Sequence, residues 1–206
     1  MFKILSKKYK MIHVLIIDLN DVDIYNQILT NNLKYYNILY TLINYNKFDN
    51  IEFSRYSHII LTGSDYNVSD NKLLLSYTQI IRLLETKIQI LAQCYSFHLI
   101  SYYLCGYKNC VKKMKKKHYG DTKLNSPLVN RERLYFVNHN DYVEILDSKL
   151  WDVISKKTII EPDGSRITFI LDAVMKQYPV LCLQYHPESS VENYDFIYNW
   201  IYNKFI

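Results

Sequence analysis

The chain has 206 residues, of which 49% are hydrophobic and 22% charged, with a formal net charge of +5. That balance is that of a soluble globular protein long enough to bury a full core, and so mild a charge gives no reason to expect a nucleic-acid partner. No apolar run is long enough to span a membrane, and nothing resembles a secretory leader, since Val14-Leu15-Ile16-Ile17 is short and ends at Asp18.

Residues 1–12 include Lys3, Lys7, Lys8 and Lys10 and read as a frayed, solvated tail ahead of a single domain at 13–206. His13 to Leu19 is expected to form a buried strand. Asp23 to Leu42 contains a helix with Ile24, Ile28, Leu29 and Leu33 on one face. A second strand falls at either Leu39 to Ile43 or Ile51 to Phe53. Ser57 to Leu61 reads as a strand running into the loop Thr62-Gly63-Ser64-Asp65, and Leu73 to Thr86 as an amphipathic helix. Lys87 to Ala92 is the next strand, and Ser96 to Leu104 the helix after it.

From Val111 to Leu171 the pattern changes. Shorter strands are expected at Tyr135 to Val137, Thr158 to Ile160 and Ile167 to Ala173, separated by Asn-Asp and Asp-Gly turns. Val180 to Gln184 is a last core strand, and Phe196 to Phe205 a C-terminal amphipathic helix. The alternation in the first half implies an α/β fold in three layers, a mostly parallel sheet flanked by helices, with a smaller antiparallel β portion in the second half. Functional loops then lie at the C-terminal ends of the parallel strands.

The basic run Lys112-Lys113-Met114-Lys115-Lys116-Lys117-His118 has no aromatic interleaving to stack bases and reads as a solvated loop. Cys94, Cys105, Cys110 and Cys182 form neither a C-x-x-C pair nor a zinc-ligand pattern, which fits a reducing, cytoplasmic setting. Only four glycines occur, so where the backbone must be permissive this chain mostly uses other residues. Gly63, directly after a strand, stands out among them.

Cys94 lies between the apolar run Ile88 to Ala92 and a helical stretch. A sharp strand-to-helix turn would expose its thiol at a helix N-terminus, where the dipole favours the thiolate. His186 and Glu188 follow a second apolar run, Val180 to Leu183, and in an extended segment they would point the same way, letting the carboxylate orient the imidazole. A thiol, a base and an acid in this arrangement suit nucleophilic cleavage of an amide.

Further segments recur in a fixed order. They are Ile17-Asp18-Leu19-Asn20-Asp21 with Tyr25-Asn26, Ile60 to Asp65, Ala92-Gln93-Cys94-Tyr95-Ser96-Phe97-His98 and His118-Tyr119-Gly120. Asn138 to Val143 follows, then Tyr178-Pro179 through Gln184-Tyr185-His186-Pro187-Glu188-Ser189. Together they resemble the class I glutamine amidotransferases, the triad type found in anthranilate synthase, aminodeoxychorismate synthase and GMP synthetase, over residues 13–206. The resemblance implies a flavodoxin-like sheet and a catalytic triad of Cys94, His186 and Glu188. It also implies an oxyanion hole at Gly63, Ser64 and Tyr95, with substrate contacts from His98, Asn140, Asp141 and Tyr142.

By the same resemblance, the substrate is glutamine or a γ-glutamyl compound, and ammonia passes to a partner synthase in trans. Neither a cofactor nor a metal is implied, and no nucleic acid or membrane partner. The chain departs from the family pattern at Ala92 and Ser96, which replace both glycines of G-x-C-x-G-x-Q. It departs again at Ser64 in the oxyanion loop, and at His98, where the family carries a substrate-holding Gln. These changes leave two alternatives: a stand-alone γ-glutamyl hydrolase or peptidase, and a catalytically impaired binding or regulatory module.

Overall fold

A computed structural model describes residues 11–20, 24–130 and 132–204, and of residues 24 and 25 the backbone alone. Strands β1 (His13–Asp18), β2 (Leu39–Asn44), β3 (His58–Leu61) and β4 (Gln89–Gln93) alternate with helices α1 (Ile24–Tyr35) and α2 (Tyr77–Glu85). Helix α3 (Tyr95–Leu104) leaves β4 directly. Strands β5 (Val111–Lys123), β6 (Leu134–Val143), β7 (Trp151–Ile160), β8 (Arg166–Met175) and β9 (Val180–Leu183) follow, and helix α4 (Tyr194–Ile201) comes last.

The main sheet runs β2-β1-β3-β4-β9-β8-β7, parallel from β2 to β9 and antiparallel at β8 and β7, while β5 and β6 form a separate antiparallel pair. This is the expected mostly parallel sheet with a smaller antiparallel portion. Because strand side chains alternate, each central strand serves two cores. Leu15, Ile17, Ile59, Leu61, Ile90 and Ala92 meet Ile80, Leu83 and Leu84 of α2 and Leu99 and Ile100 of α3 on one face. On the other, Val14, Ile16, Ile60, Leu91, Leu181 and Leu183 meet Leu29 and Leu33 of α1 and Phe196, Ile197 and Trp200 of α4. Strands buried on both faces explain why their sequences read as continuous apolar runs.

Several expectations shift. The second strand is the Leu39 alternative, and Phe53 instead opens a short 3-10 turn. Helix α2 starts four residues later than expected because Ser76 and Gln79 form a reciprocal capping box. Helix α4 ends at Ile201, followed by Asn203 in the left-handed region, and Phe205 lies outside the described residues. Of the expected tail, only Met11 and Ile12 are described.

The largest correction concerns the lysine run. It is strand β5, not a loop, and its charges are largely met: Lys112 pairs with Glu144, Lys113 with Asp70 and Lys115 with Asp163. The pairing with β6 is interrupted by a register shift between Lys113 and His118, and the lysines of that stretch face outward. Cys105 and Cys110 are joined as a disulfide across the turn from α3 to β5, leaving Cys94 and Cys182 as free cysteines. Among the described residues, no helix is long and apolar enough to cross a membrane.

Candidate active site

The C-terminal ends of β3, β4 and β9 converge, and each contributes a loop. After β4, Cys94 sits at φ 50°, ψ −106°, a conformation rare for a side-chain-bearing residue and typical of a strained nucleophile elbow. Its N–H donates to Leu183 O at 2.7 Å, which ties the elbow to β9, and it directly precedes α3, whose first turn offers free N–H groups. Ser96 fills the place of a glycine without leaving a buried hydroxyl orphaned, because its one O–H is shared between Leu61 O at 2.9 Å and Gln93 O at 3.0 Å.

Beyond β9, His186 N donates to Phe136 O at 2.9 Å, and Pro187–Ser189 forms a 3-10 turn. The His186–Glu188 pairing therefore does not arise from an extended segment. Pro187, with its fixed φ, starts a tight turn that folds the carboxylate back onto the ring. His186 Nδ1 lies 2.9 Å from Glu188 Oε1, and Gln93 Nε2 donates to Glu188 Oε2 at 2.6 Å. Burial alone would lower the His186 pKa. The Glu188 charge and the adjoining Cys94 outweigh it and raise the value to about 10, which favours the protonated ring.

Gly63 provides the space in which these groups meet. A Cβ added there would lie 2.9 Å from His186 Cε1, 3.6 Å from His186 Nε2 and 3.5 Å from Cys94 Cβ. The residue has no left-handed φ, so it is glycine for room rather than for backbone freedom. Thr62 fixes the loop: its Oγ1 accepts from Leu19 N at 2.8 Å and donates to Gly63 O at 3.0 Å. Ser64 likewise lies outside the left-handed region and follows this pinned segment.

A narrow cleft beside Cys94 is lined by Ser64, Tyr95, His98, Lys117, Asn140 and Asp141 among others. The hydroxyl of Tyr95 is engaged away from Cys94. It donates to Lys72 O at 2.6 Å and accepts from Leu74 N at 2.9 Å, and burial pushes its pKa up to about 12. Asp141 is engaged by Ser69, from N at 2.9 Å and from Oγ at 2.5 Å, so its carboxylate fastens the loop after β3 to β6. Tyr142 is not at this cleft. Strand alternation turns it the other way, onto Phe169 in the opposite core.

Three neutral histidines back the cleft. His98 and His139 are driven down in pKa by burial, and His118 to about 4 for the same reason. His139 Nδ1 donates to Asp141 O at 2.8 Å, which leaves its Nε2 to accept from His118 Nδ1 at 3.1 Å. His98 Nε2 bonds Gln184 Oε1 at 2.7 Å. Among the described residues no His, Cys, Asp or Glu group is arranged to hold a metal. Sequence reasoning gave no role to Gln93, Thr62, Gln184 or Asn138, whose carbonyl accepts from Cys94 Sγ at 3.5 Å. The available signal was polarity: Gln93 and Gln184 are amides directly after the apolar runs Ile90-Leu91-Ala92 and Val180 to Leu183, where a polar group needs a partner.

The family model for glutamine amidotransferase class-I matches residues 15–205. The chain belongs to the class-I glutamine amidotransferases. This family characteristically hydrolyses the side-chain amide of glutamine. Solved structures share the fold at low identity. A GMP synthase subunit protein from Thermoplasma acidophilum matches with TM-score 0.69 and 16% identity, covering 93% of this chain and 92% of the other. A glutamine amidotransferase from Thermotoga maritima gives 0.61 and 16%, covering 94% and 84%. PurLQS of Thermotoga maritima gives 0.66 and 14%, covering 95% and 99%. No curated protein matches. Ala92, Ser96 and His98, which stand where the resemblance places two glycines and a glutamine, are all buried.

Proposed function

We propose that this chain cleaves the side-chain amide of glutamine through Cys94, His186 and Glu188 and supplies the ammonia to a separate acceptor synthase. The Cys94 thiolate attacks the carbonyl carbon, and the C–N bond breaks as His186 gives its proton to the departing ammonia. Glu188, held by Gln93, keeps the ring oriented. The oxyanion is met by backbone N–H groups at Ser64 and Tyr95, and water then releases glutamate from the thioester. The observation that carries this reading is the convergence of a strained thiol and a carboxylate-braced imidazole against Gly63. The likenesses to PurLQS and to a GMP synthase subunit are consistent with an acceptor partner.

One observation favours a second reading, a stand-alone γ-glutamyl hydrolase. His98, at the position of the family's substrate-holding Gln, is already engaged by Gln184. Incubating the purified chain with glutamine and with γ-glutamyl dipeptides, and measuring glutamate, separates the two. Glutamate from glutamine, abolished in Cys94→Ser, supports the proposal. Turnover of dipeptides alone supports the second reading. No turnover and no labelling of Cys94 by a glutamine-like electrophile defeats both and leaves a binding or regulatory module.

A further inference from the structure

Gln184 is buried completely, lies directly after β9, and has no role in the triad. Its two amide ends face different partners. Oε1 lies 2.7 Å from His98 Nε2, and Nε2 lies 3.8 Å from Cys94 Sγ, a contact that the larger sulphur permits. A carboxamide oxygen only accepts, so His98 Nε2 must carry the hydrogen. With Oε1 turned to His98, the N–H₂ at the other end of the amide is aimed at the sulphur.

We infer that Gln184 is a positioning residue that donates a hydrogen bond to the Cys94 thiolate, and that His98 serves by locking Gln184 in the donating orientation. Asn138 O, 3.5 Å from Sγ, is an acceptor and favours the thiol over the thiolate. A negative sulphur therefore needs donors on its other sides: His186 provides one and Gln184 Nε2 the second. His98 in this chain acts on the nucleophile rather than holding substrate. The role presupposes Cys94 as the reacting group proposed above, yet its test reads the sulphur directly and needs no substrate.

The test is the pH dependence of Cys94 carboxamidomethylation by iodoacetamide in the full chain, quantified on the Cys94 peptide by mass spectrometry so that Cys182 does not interfere. The titratable and charged groups around the sulphur are His186 and Glu188 after β9, Asp65 and Tyr66 after β3, Tyr95 and His98 on α3, Lys117 on β5, and His139 and Asp141 on β6. All of them stay in place in Gln184→Met, which keeps the bulk and removes the N–H. The midpoint of the alkylation profile is expected to rise by about one pH unit in Gln184→Met, the scale of one hydrogen bond to a charged group. It should rise by a smaller amount in His98→Leu. His98→Gln, whose amide can still donate to Gln184 Oε1, should restore the original midpoint. A lowered midpoint in Gln184→Met would mean that the amide sits the other way and accepts from the thiol, which overturns the inference. An unchanged midpoint in Gln184→Met, or in His98→Leu where only that variant folds, overturns it as well.

Discussion

Replacing Gly63 with alanine tests whether the site depends on the close approach of three loops. The new Cβ would stand 2.9 Å from His186 Cε1, whereas ordinary contact begins at 3.4 Å, so at least about 0.5 Å must be found. Neither neighbour yields easily: the ring is braced by Glu188, and Cys94 belongs to a buried elbow. Overpacking of this kind costs about 1–3 kcal/mol. Alanine at a permitted φ returns about 0.4–1 kcal/mol by restricting the unfolded chain, so the net loss of stability is about 0–2.6 kcal/mol. For a protein of this size, that corresponds to a fall in Tm of up to about 10 °C. Catalysis should suffer more, because moving a reacting group by a fraction of an ångström toward 1 Å costs up to about 10²-fold. Glutamate release and Tm are measured side by side. A large loss of turnover with only a modest fall in Tm is expected. Full turnover with an unaltered Tm would show that the ring moves aside freely, and the space argument for this glycine would be wrong.

Gln93→Leu removes the donor to Glu188 Oε2 and should cost about 1.5–3 kcal/mol in urea unfolding, with turnover down on the order of tenfold as His186 loses its brace. Ser96→Gly restores the family's residue but deletes the buried hydroxyl's shared hydrogen bond and adds chain entropy, so a loss of about 1–2 kcal/mol is expected with turnover within about threefold of the parent. The His186 pKa is raised from 6.5 to about 10 in the folded protein, so its stabilising contribution is complete below pH 6.5 and is lost as pH rises through about 10. Urea midpoints should fall across that window in the parent and fall less steeply in Glu188→Gln, which lacks the main raising charge. Parallel declines in the two proteins would refute the assignment.

The parallel half of the fold was legible because strands covered on both faces announce themselves as apolar runs, and the meeting of Cys94 with His186 and Glu188 was legible because these residues follow two of those runs. The second half was harder. Strand β5 hides behind its lysines, since an exposed two-stranded ribbon needs no apolar face along most of its length, and its pairing with β6 is a long-range fact that local pattern does not carry. The same limit applies to Asp141 and Tyr142: adjacent on β6, one turns toward the cleft and the other into the core, and only the strand's placement decides which.

The scarcity of glycine connects these observations to the site. Among the described non-glycine residues, positive φ falls at Asn37, Asn71, Asn109 and Asn203, where asparagine tolerates it at small cost, at Lys87 after α2, and at Cys94, where the elbow's geometry demands it. Gly106, Gly120 and Gly164 also sit at positive φ, but Gly63 does not. Asparagine can replace glycine where a dihedral is the requirement. It cannot do so where the requirement is an absent side chain, and Gly63 is such a position. Ser96 and Ala92 mark places where the elbow accepts a small side chain, given a carbonyl to bond or a core to join. Gly63 marks the place where it accepts none, because the space a Cβ would take belongs to the imidazole that must reach the sulphur.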